Sequence, residues 1–363
     1  MQKMKKKNIL IICYGGTIVM IVDRKKKSVV EAENINDIKE AINQIPSLNE
    51  KANIDIDFLE KKDSSNVSPK DWKQLSKYIA EKHRDKKVDG FVVTHGTNTM
   101  AYTASALSLS LGRGLQKPII ITGSQLPLEE YGTDARFNFE NAILTASEAA
   151  DKGYAEVMIC FSDVILRGNR SVKVSESDFK AFNTPAFPQL GWIRSTGIIW
   201  NQAILEDFKA NINNNLILKN NFCEDIISID LIPGQNPNML NKLINSNKCK
   251  GIILKSHGAG SVPTYKFVSN KKDKYNSYLE FIKGVTYEKK IPVIVATKFL
   301  GGNAYKEIND ECAVEAIKNG AISGKDLTDV MTEVKLMWIL GNGFDNIKEI
   351  KRKLHYNYVG EIG

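Results

Sequence analysis

Apolar residues in this chain come in short runs, and the stretches between them carry helical spacing. Residues 9–13 are unbroken Ile-Leu-Ile-Ile-Cys, so residues 8–13 predict a strand buried on both faces. Residues 18–22 and 28–32 flank the polar tip 23–27, which is a hairpin pattern. Residues 54–59 predict another strand. Ser68-Pro69-Lys70-Asp71 then reads as a helix start, with serine as cap, proline in the first turn and an acid three residues on. Trp72, Leu75 and Ile79 follow at helical spacing. The pattern continues as strand 88–94, helix 100–111, strand 118–122, helix 135–150 and strand 157–161. Strands separated by helices of this length predict βαβ units and a mostly parallel sheet.

The pattern changes after residue 200. Residues 201–222 contain an asparagine-rich stretch at 211–215 and read as a linker. Alternation then resumes, with a helix from Asn236-Pro237 to 244, strand 251–255, helix 278–283 and strand 292–296. Two helices, near 310–319 and 326–340, finish the chain. The expected class is α/β with two domains. A larger N-terminal domain, 1–200, has a mostly parallel sheet flanked by helices, and a smaller C-terminal α/β domain spans 223–363. No internal repeat is evident.

Composition narrows the possible chemistry. No apolar run reaches the ~18 residues of a membrane span. Cys13, Cys160, Cys223, Cys249 and Cys312 are scattered and odd in number, which points to a reducing compartment rather than a disulfide framework. No cysteine or histidine spacing matches a metal site, and no phosphate-loop or dinucleotide fingerprint is present. The basic start followed by a short apolar run lacks a small-residue cleavage site, so a cytoplasmic chain is expected. The net charge is +8, with lysine clusters at 5–7 and 24–27. No aromatic-interleaved patch accompanies them, which argues for a solvated surface and against nucleic acid as a partner.

In open parallel sheets, ligands bind beyond the carboxyl ends of the strands. Four polar loops fall there: Tyr14-Gly15-Gly16-Thr17, Asp63-Ser64-Ser65-Asn66, Thr94-His95-Gly96-Thr97-Asn98-Thr99 and Thr122-Gly123-Ser124-Gln125. A threonine hydroxyl becomes a nucleophile when a nearby lysine of depressed pKa takes its proton. An acid beside that lysine would hold it, so a Thr–Lys–Asp arrangement makes a sensible amidohydrolase site. His95 and His257 are expected to be structural.

The first loop resembles a TGGTI motif and the third an HGTDTM motif. The fourth, with Pro118 before it and Asp134 after it, resembles PVVLTGSQ. Arg167-Gly168-Asn169-Arg170-Ser171-Val172-Lys173 resembles an RGxRxxK segment, and residues 251–263 and 327–340 continue the series. In this order the segments resemble the bacterial-type L-asparaginases, and the cytoplasmic type I branch most closely. The resemblance implies an asparaginase-like two-domain fold, a homodimer or homotetramer, and no cofactor. It implies a small-molecule amide such as asparagine as partner, hydrolysed to aspartate and ammonia.

Residue by residue, the resemblance gives Thr97 and Lys173 as catalytic, and Thr17, Asp63, Ser64 and Ser65 as substrate-binding. It puts Tyr14 where a nucleophilic threonine is expected, and Asn98 where an aspartate is expected. Tyr14 would be a proton donor or nucleophile with an ordinary pKa of about 10, or a packed aromatic closing the pocket. Asn98 removes a charge that would face the substrate α-ammonium, a loss of about 3–5 kcal/mol at a desolvated site. Lys173 also loses a counter-charge, so its pKa is expected to fall. The hairpin 18–32 corresponds to the family's lid, here with the cationic tip Arg24–Lys27. The expected function is a weakened or substrate-shifted amidohydrolase. The alternative is a catalytically silent relative that binds a small ligand or protein. An amidotransferase subunit acting on aminoacyl-tRNA ranks last, since no RNA-binding segment is evident.

Overall fold

The computed structural model describes residues 6–23, 28–31, 51–210, 213–244, 248–267, 274–300 and 311–363. Two compact units divide the chain, Met1–Asn220 and Asn221–Gly363.

In chain order the first unit contains β1 (Lys7–Cys13), β2 (Met20–Asp23), β3 (Ser28–Glu31), β4 (Ala52–Phe58), α1 (Pro69–His83), β5 (Gly90–Thr94) and α2 (Met100–Leu111). It continues with β6 (Ile119–Thr122), α3 (Ala135–Lys152), β7 (Val157–Phe161), β8 (Val164–Arg167), β9 (Val172–Lys173) and β10 (Phe182–Asn183). β11 (Gly191–Arg194), β12 (Gly197–Trp200) and α4 (Gln202–Leu205) close it.

The main sheet runs β12-β11-β8-β7-β6-β5-β1-β4. Strands β4, β1, β5, β6 and β7 are parallel, as the alternation predicts. Strands β8, β11 and β12 extend it antiparallel. The apolar pattern does not announce that extension, because these strands are only four residues long and β7 turns into β8 through Ser162, at φ 53°.

Strand β1 is covered on both faces by its own alternation. Ile9, Ile11 and Cys13 lie in one core with Phe139, Ala142 and Ile143 of α3. Leu10, Ile12 and Tyr14 lie in the other with Leu75 and Ile79 of α1 and Met100 and Leu107 of α2. Each such side chain contributes about 1.5–3 kcal/mol of burial. Cys13 pairs with both Phe58 and Thr94, and Thr94 with Thr122. The loops after β1, β4, β5 and β6 therefore leave the sheet at one level.

The expected hairpin forms as antiparallel β2 and β3. It begins later than the pattern suggests because Thr17–Val19 is a 3-10 turn. The cationic tip 24–27 lies outside the described residues. Residues 201–222, read as a linker, are packed on the first unit through residue 220. Leu205 and Phe208 are buried in its core, Ala155 N donates to the Phe208 carbonyl, and Lys219 N donates to the Ser110 carbonyl.

The second unit contains β13 (Ile226–Asp230), α5 (Asn238–Ile244), β14 (Gly251–Ser256), α6 (Tyr278–Lys283), β15 (Val293–Thr297) and α7 (Glu311–Lys318). β16 (Ile322–Ser323), α8 (Asp329–Gly341) and α9 (Ile347–Leu354) follow. Its sheet is parallel, in the order β13-β14-β15-β16. Helix α9 corrects the expectation that two helices finish the chain. Its three apolar positions, Ile347, Ile350 and Leu354, are masked by surrounding lysines in the sequence.

Lys335 of α8 is wholly buried and ion-pairs with Glu361, also wholly buried, at 2.6 Å. The same ammonium donates to the Tyr356 carbonyl at 2.8 Å, and Glu361 accepts from the Tyr358 and Val359 amides. Among the described residues no helix is long and apolar enough to cross a membrane.

Candidate active site

Glycines let the four loops meet backbone to backbone. Gly15 and Gly16 have φ of +91° and +88°, a region that disfavours a side chain. A Cβ on Gly15 would lie 2.4 Å from the Lys62 carbonyl, and one on Gly16 would lie 2.5 Å from the Gly96 amide. A Cβ on Gly123 would lie 2.3 Å from the His95 carbonyl. The first loop is thus clamped between the second and third, and the fourth lies against the third. Asp134 holds the fourth loop by accepting from the Gln125 and Leu126 amides.

Lys173 reaches the third loop from the two-residue strand β9, paired with β10. The turn before it, Gly168–Arg170, sits close against α2, where a Cβ on Gly168 would meet the Ala104 methyl at 3.0 Å. Lys173 Nζ donates to Thr97 Oγ1 and to Asn98 Oδ1, both at 2.9 Å. Partial burial holds its pKa below the ordinary lysine value, opposed by the charge of Glu176. Lys173 makes no ion pair among the described residues. Asn98 therefore fixes the ammonium where an aspartate would, without adding a negative charge.

Asn98 also ties this pair to the serine loop, since its Nδ2 donates to Ser65 Oγ at 3.3 Å. Ser65 N donates to Asp63 Oδ1 at 2.7 Å, and Thr99 Oγ1 donates to the Ser64 carbonyl at 2.7 Å. Ser64 is buried against Gly96, whereas Ser65 is exposed. The loop rests on Lys62, whose Nζ meets Asp71 Oδ1 at 2.5 Å. Asp71 in turn accepts from the Ser68 amide and hydroxyl, and these bonds hold its carboxyl below the usual range despite burial. Sequence reading finds Asp71 as a helix cap but passes over Lys62, which no motif singles out.

Tyr14, a catalytic candidate by resemblance, is packed inside the fold. Its side chain is 1% exposed and lies in the core under α1 and α2. Its hydroxyl donates to the Asp71 carbonyl at 3.2 Å, and burial raises its pKa far above the ordinary phenol value. Burial and this bond favour packing over proton donation at this position. Thr17, by contrast, is partly exposed, and it follows Gly16 directly where Gly16 abuts Gly96. Gly16 and Gly96 directly precede Thr17 and Thr97, so the two threonines follow from one backbone contact.

His95 is structural. It is fully buried, and burial lowers its pKa to about 4. Its Nδ1 faces the Gly96 carbonyl at 2.7 Å and must donate there. Its Nε2 then accepts from Thr103 Oγ1 at 2.8 Å. His257 sits in a turn where its amide donates to the Ser261 carbonyl.

Comparison with known proteins agrees with this geometry over most of the chain. Residues 8–206 match the family model described as "Asparaginase, N-terminal", and residues 225–354 match "Glutaminase/Asparaginase C-terminal domain". An L-asparaginase of Thermococcus kodakarensis is 31% identical over 83% of both chains. L-asparaginase 1 of Escherichia coli K12 is 29% identical over 99% of both chains. The crystal structure of L-asparaginase I from Vibrio cholerae superposes with a TM-score of 0.82 at 28% identity, covering 99% of this chain and 100% of that one. The loops gathered at the carboxyl edge, the lysine held against Thr97 and two family matches covering most of the chain agree: it belongs to the asparaginase family, hydrolases of amide carbon–nitrogen bonds.

Proposed function

We propose that this chain hydrolyses the side-chain amide of L-asparagine to L-aspartate and ammonia. The observation that carries the reading is Lys173 Nζ, at 2.9 Å from both Thr97 Oγ1 and Asn98 Oδ1. A lysine of lowered pKa beside a hydroxyl is a proton-transfer pair. In the proposed reaction Thr97 Oγ1 bonds to the amide carbon, and its proton passes to neutral Lys173. The C–N bond then breaks, and that proton goes to the departing nitrogen, which leaves as ammonia. Water hydrolyses the resulting ester and restores Thr97. Ser64 and Ser65 bind the substrate α-carboxylate, in a turn that Asp63 holds by accepting from the Ser65 amide.

Asn98 is proposed to weaken this activity on asparagine, because a neutral amide cannot compensate the α-ammonium. Tyr14 is proposed to share in that weakening, because it stands where the resemblance expects a nucleophilic threonine. We further expect a homodimer or homotetramer, supported by exposed Ile232 and Met239 in the second unit. A cytoplasmic location is supported by the free state of all five cysteines.

Ammonia release from asparagine, glutamine and primary amides without an α-ammonium tests the reading, beside Thr17→Ala and Thr97→Ala. Turnover lost in both variants is expected. No release above the variants from folded protein would overturn the hydrolase and leave a binding protein.

A further inference from the structure

We propose that Tyr14 is a positioning residue that sets the spacing of the three loops carrying Thr17, the serine pair and Thr97. The proposal rests on the hydrolase reading above for its kinetic test, though not for its structural one.

The phase of β1 puts Tyr14 on the helix side. It continues the series Leu10, Ile12, and successive strand residues alternate faces. From there it makes two contacts to the third loop and one to the first turn of α1. Its amide donates to Thr94 Oγ1 at 3.2 Å, at the end of β5. Its ring stacks on His95 at 6.0 Å and 16°. Its hydroxyl reaches the Asp71 carbonyl in the first turn of α1, and the carboxylate of that residue holds Lys62 beside the serine loop.

The contacts continue beyond the ring. Trp72 Nε1 donates to Thr103 Oγ1 at 3.2 Å, Thr103 donates to His95 Nε2, and His95 Nδ1 donates to the Gly96 carbonyl. Gly96 immediately precedes Thr97. A change in the tilt of the Tyr14 ring is thus passed to the backbone that aims Thr97 at Lys173, and Gly15-Gly16 passes it to Thr17. Misplacing a reacting group by about 1 Å costs on the order of 10²-fold in rate. A residue buried out of reach of substrate acts on rate in this way.

The test uses three variants of the full chain. Tyr14→Phe keeps the ring and removes one hydrogen bond. Tyr14→Leu removes the stack, and Tyr14→Met fills the same space flexibly should the leucine variant fail to fold. Kinetics are normalised to folded protein. Tyr14→Phe is expected within about 3-fold of wild-type kcat. Tyr14→Leu or Met is expected to lose about 10- to 100-fold in kcat with KM little changed. Amide hydrogen exchange across residues 62–66 and 95–99 is expected to quicken in Leu or Met and not in Phe.

Tyr14→Phe as inactive as Thr17→Ala would make the phenol a chemical participant and overturn the proposal. Wild-type kcat and unchanged exchange in Tyr14→Leu would overturn it from the other side. If wild type releases no ammonia from any amide, the hydrolase reading fails, and the exchange data alone decide the role of Tyr14.

Discussion

Two lysines removed from bulk water do opposite work in this chain. Lys173 in the first unit is half-buried and donates to two neutral oxygens, of Thr97 and Asn98. Lys335 in the second unit is fully buried and meets a carboxylate, Glu361, and a carbonyl. The first environment favours losing the proton, whereas the second sets a buried carboxylate against the ammonium. Burial alone therefore does not make a lysine a base. What matters is whether its nearest partner carries a negative charge.

The comparison breaks most visibly if each lysine is replaced. Lys173→Met is expected to lower amide turnover by about 10²- to 10⁴-fold, with unfolding temperature nearly unchanged. Steady-state ammonia release beside a thermal melt checks both parts. Lys335→Met is expected to do the reverse. It strands the Glu361 carboxylate and should destabilise by about 3–5 kcal/mol in urea titration, with kcat per folded molecule retained. Pairing Lys335→Met with Glu361→Leu should recover part of that loss, since no buried charge remains but the Tyr358 and Val359 amides lose their acceptor.

Exchanging the environments sharpens the contrast further. Asn98→Asp gives Lys173 the carboxylate partner that Lys335 already has. Its pKa then rises, and since the neutral form is the base, the acid limb of the kcat–pH profile should move to higher pH. An unmoved limb would separate Lys173 from the proton transfer.

A smaller effect concerns acid. The pairing and hydrogen bonds of Glu361 hold its carboxyl below the usual glutamate value. Its contribution to stability is thus present above about pH 4.3 and is lost as pH falls towards the folded-state value. Glu361→Gln should flatten that part of the stability–pH curve in urea titrations.

How much of this was readable from the residues differs by position. Helix α2 and strand β7 begin and end where their apolar spacing ends, because nothing competes with that signal. Strands β8, β11 and β12 were hidden because four-residue antiparallel strands joined by tight turns leave too few apolar positions to count. Residues 201–220 look like a linker because exposure sets composition. Leu205 and Phe208, which anchor the stretch, are too sparse to form a period.

At the site, Thr97 and Lys173 were found by motif, and their contact spans 76 positions of sequence. The orientation of Tyr14 was also within reach, since counting in twos from Leu10 gives its face. The motif drew attention to the residue's type and away from its phase. Lys62 had no such signal, because its partner Asp71 becomes a neighbour only once α1 and the second loop are in place.

The place of β1 in the sheet also bears on how the protein is made. This first strand is interior, flanked by β4 and β5 rather than by its sequence neighbours β2 and β3. During synthesis Cys13 emerges about 80 residues before Thr94, so at ~5–20 residues per second the strand waits on the order of 4 to 16 s for its second partner. For that interval Ile-Leu-Ile-Ile-Cys keeps at least one β-forming edge unpaired, the kind that associates with other chains. The lysines directly ahead of it, Lys5, Lys6 and Lys7, supply the like-charge repulsion that guards such a segment. A basic cluster that reads as mere solvated surface thus has work to do before the fold exists.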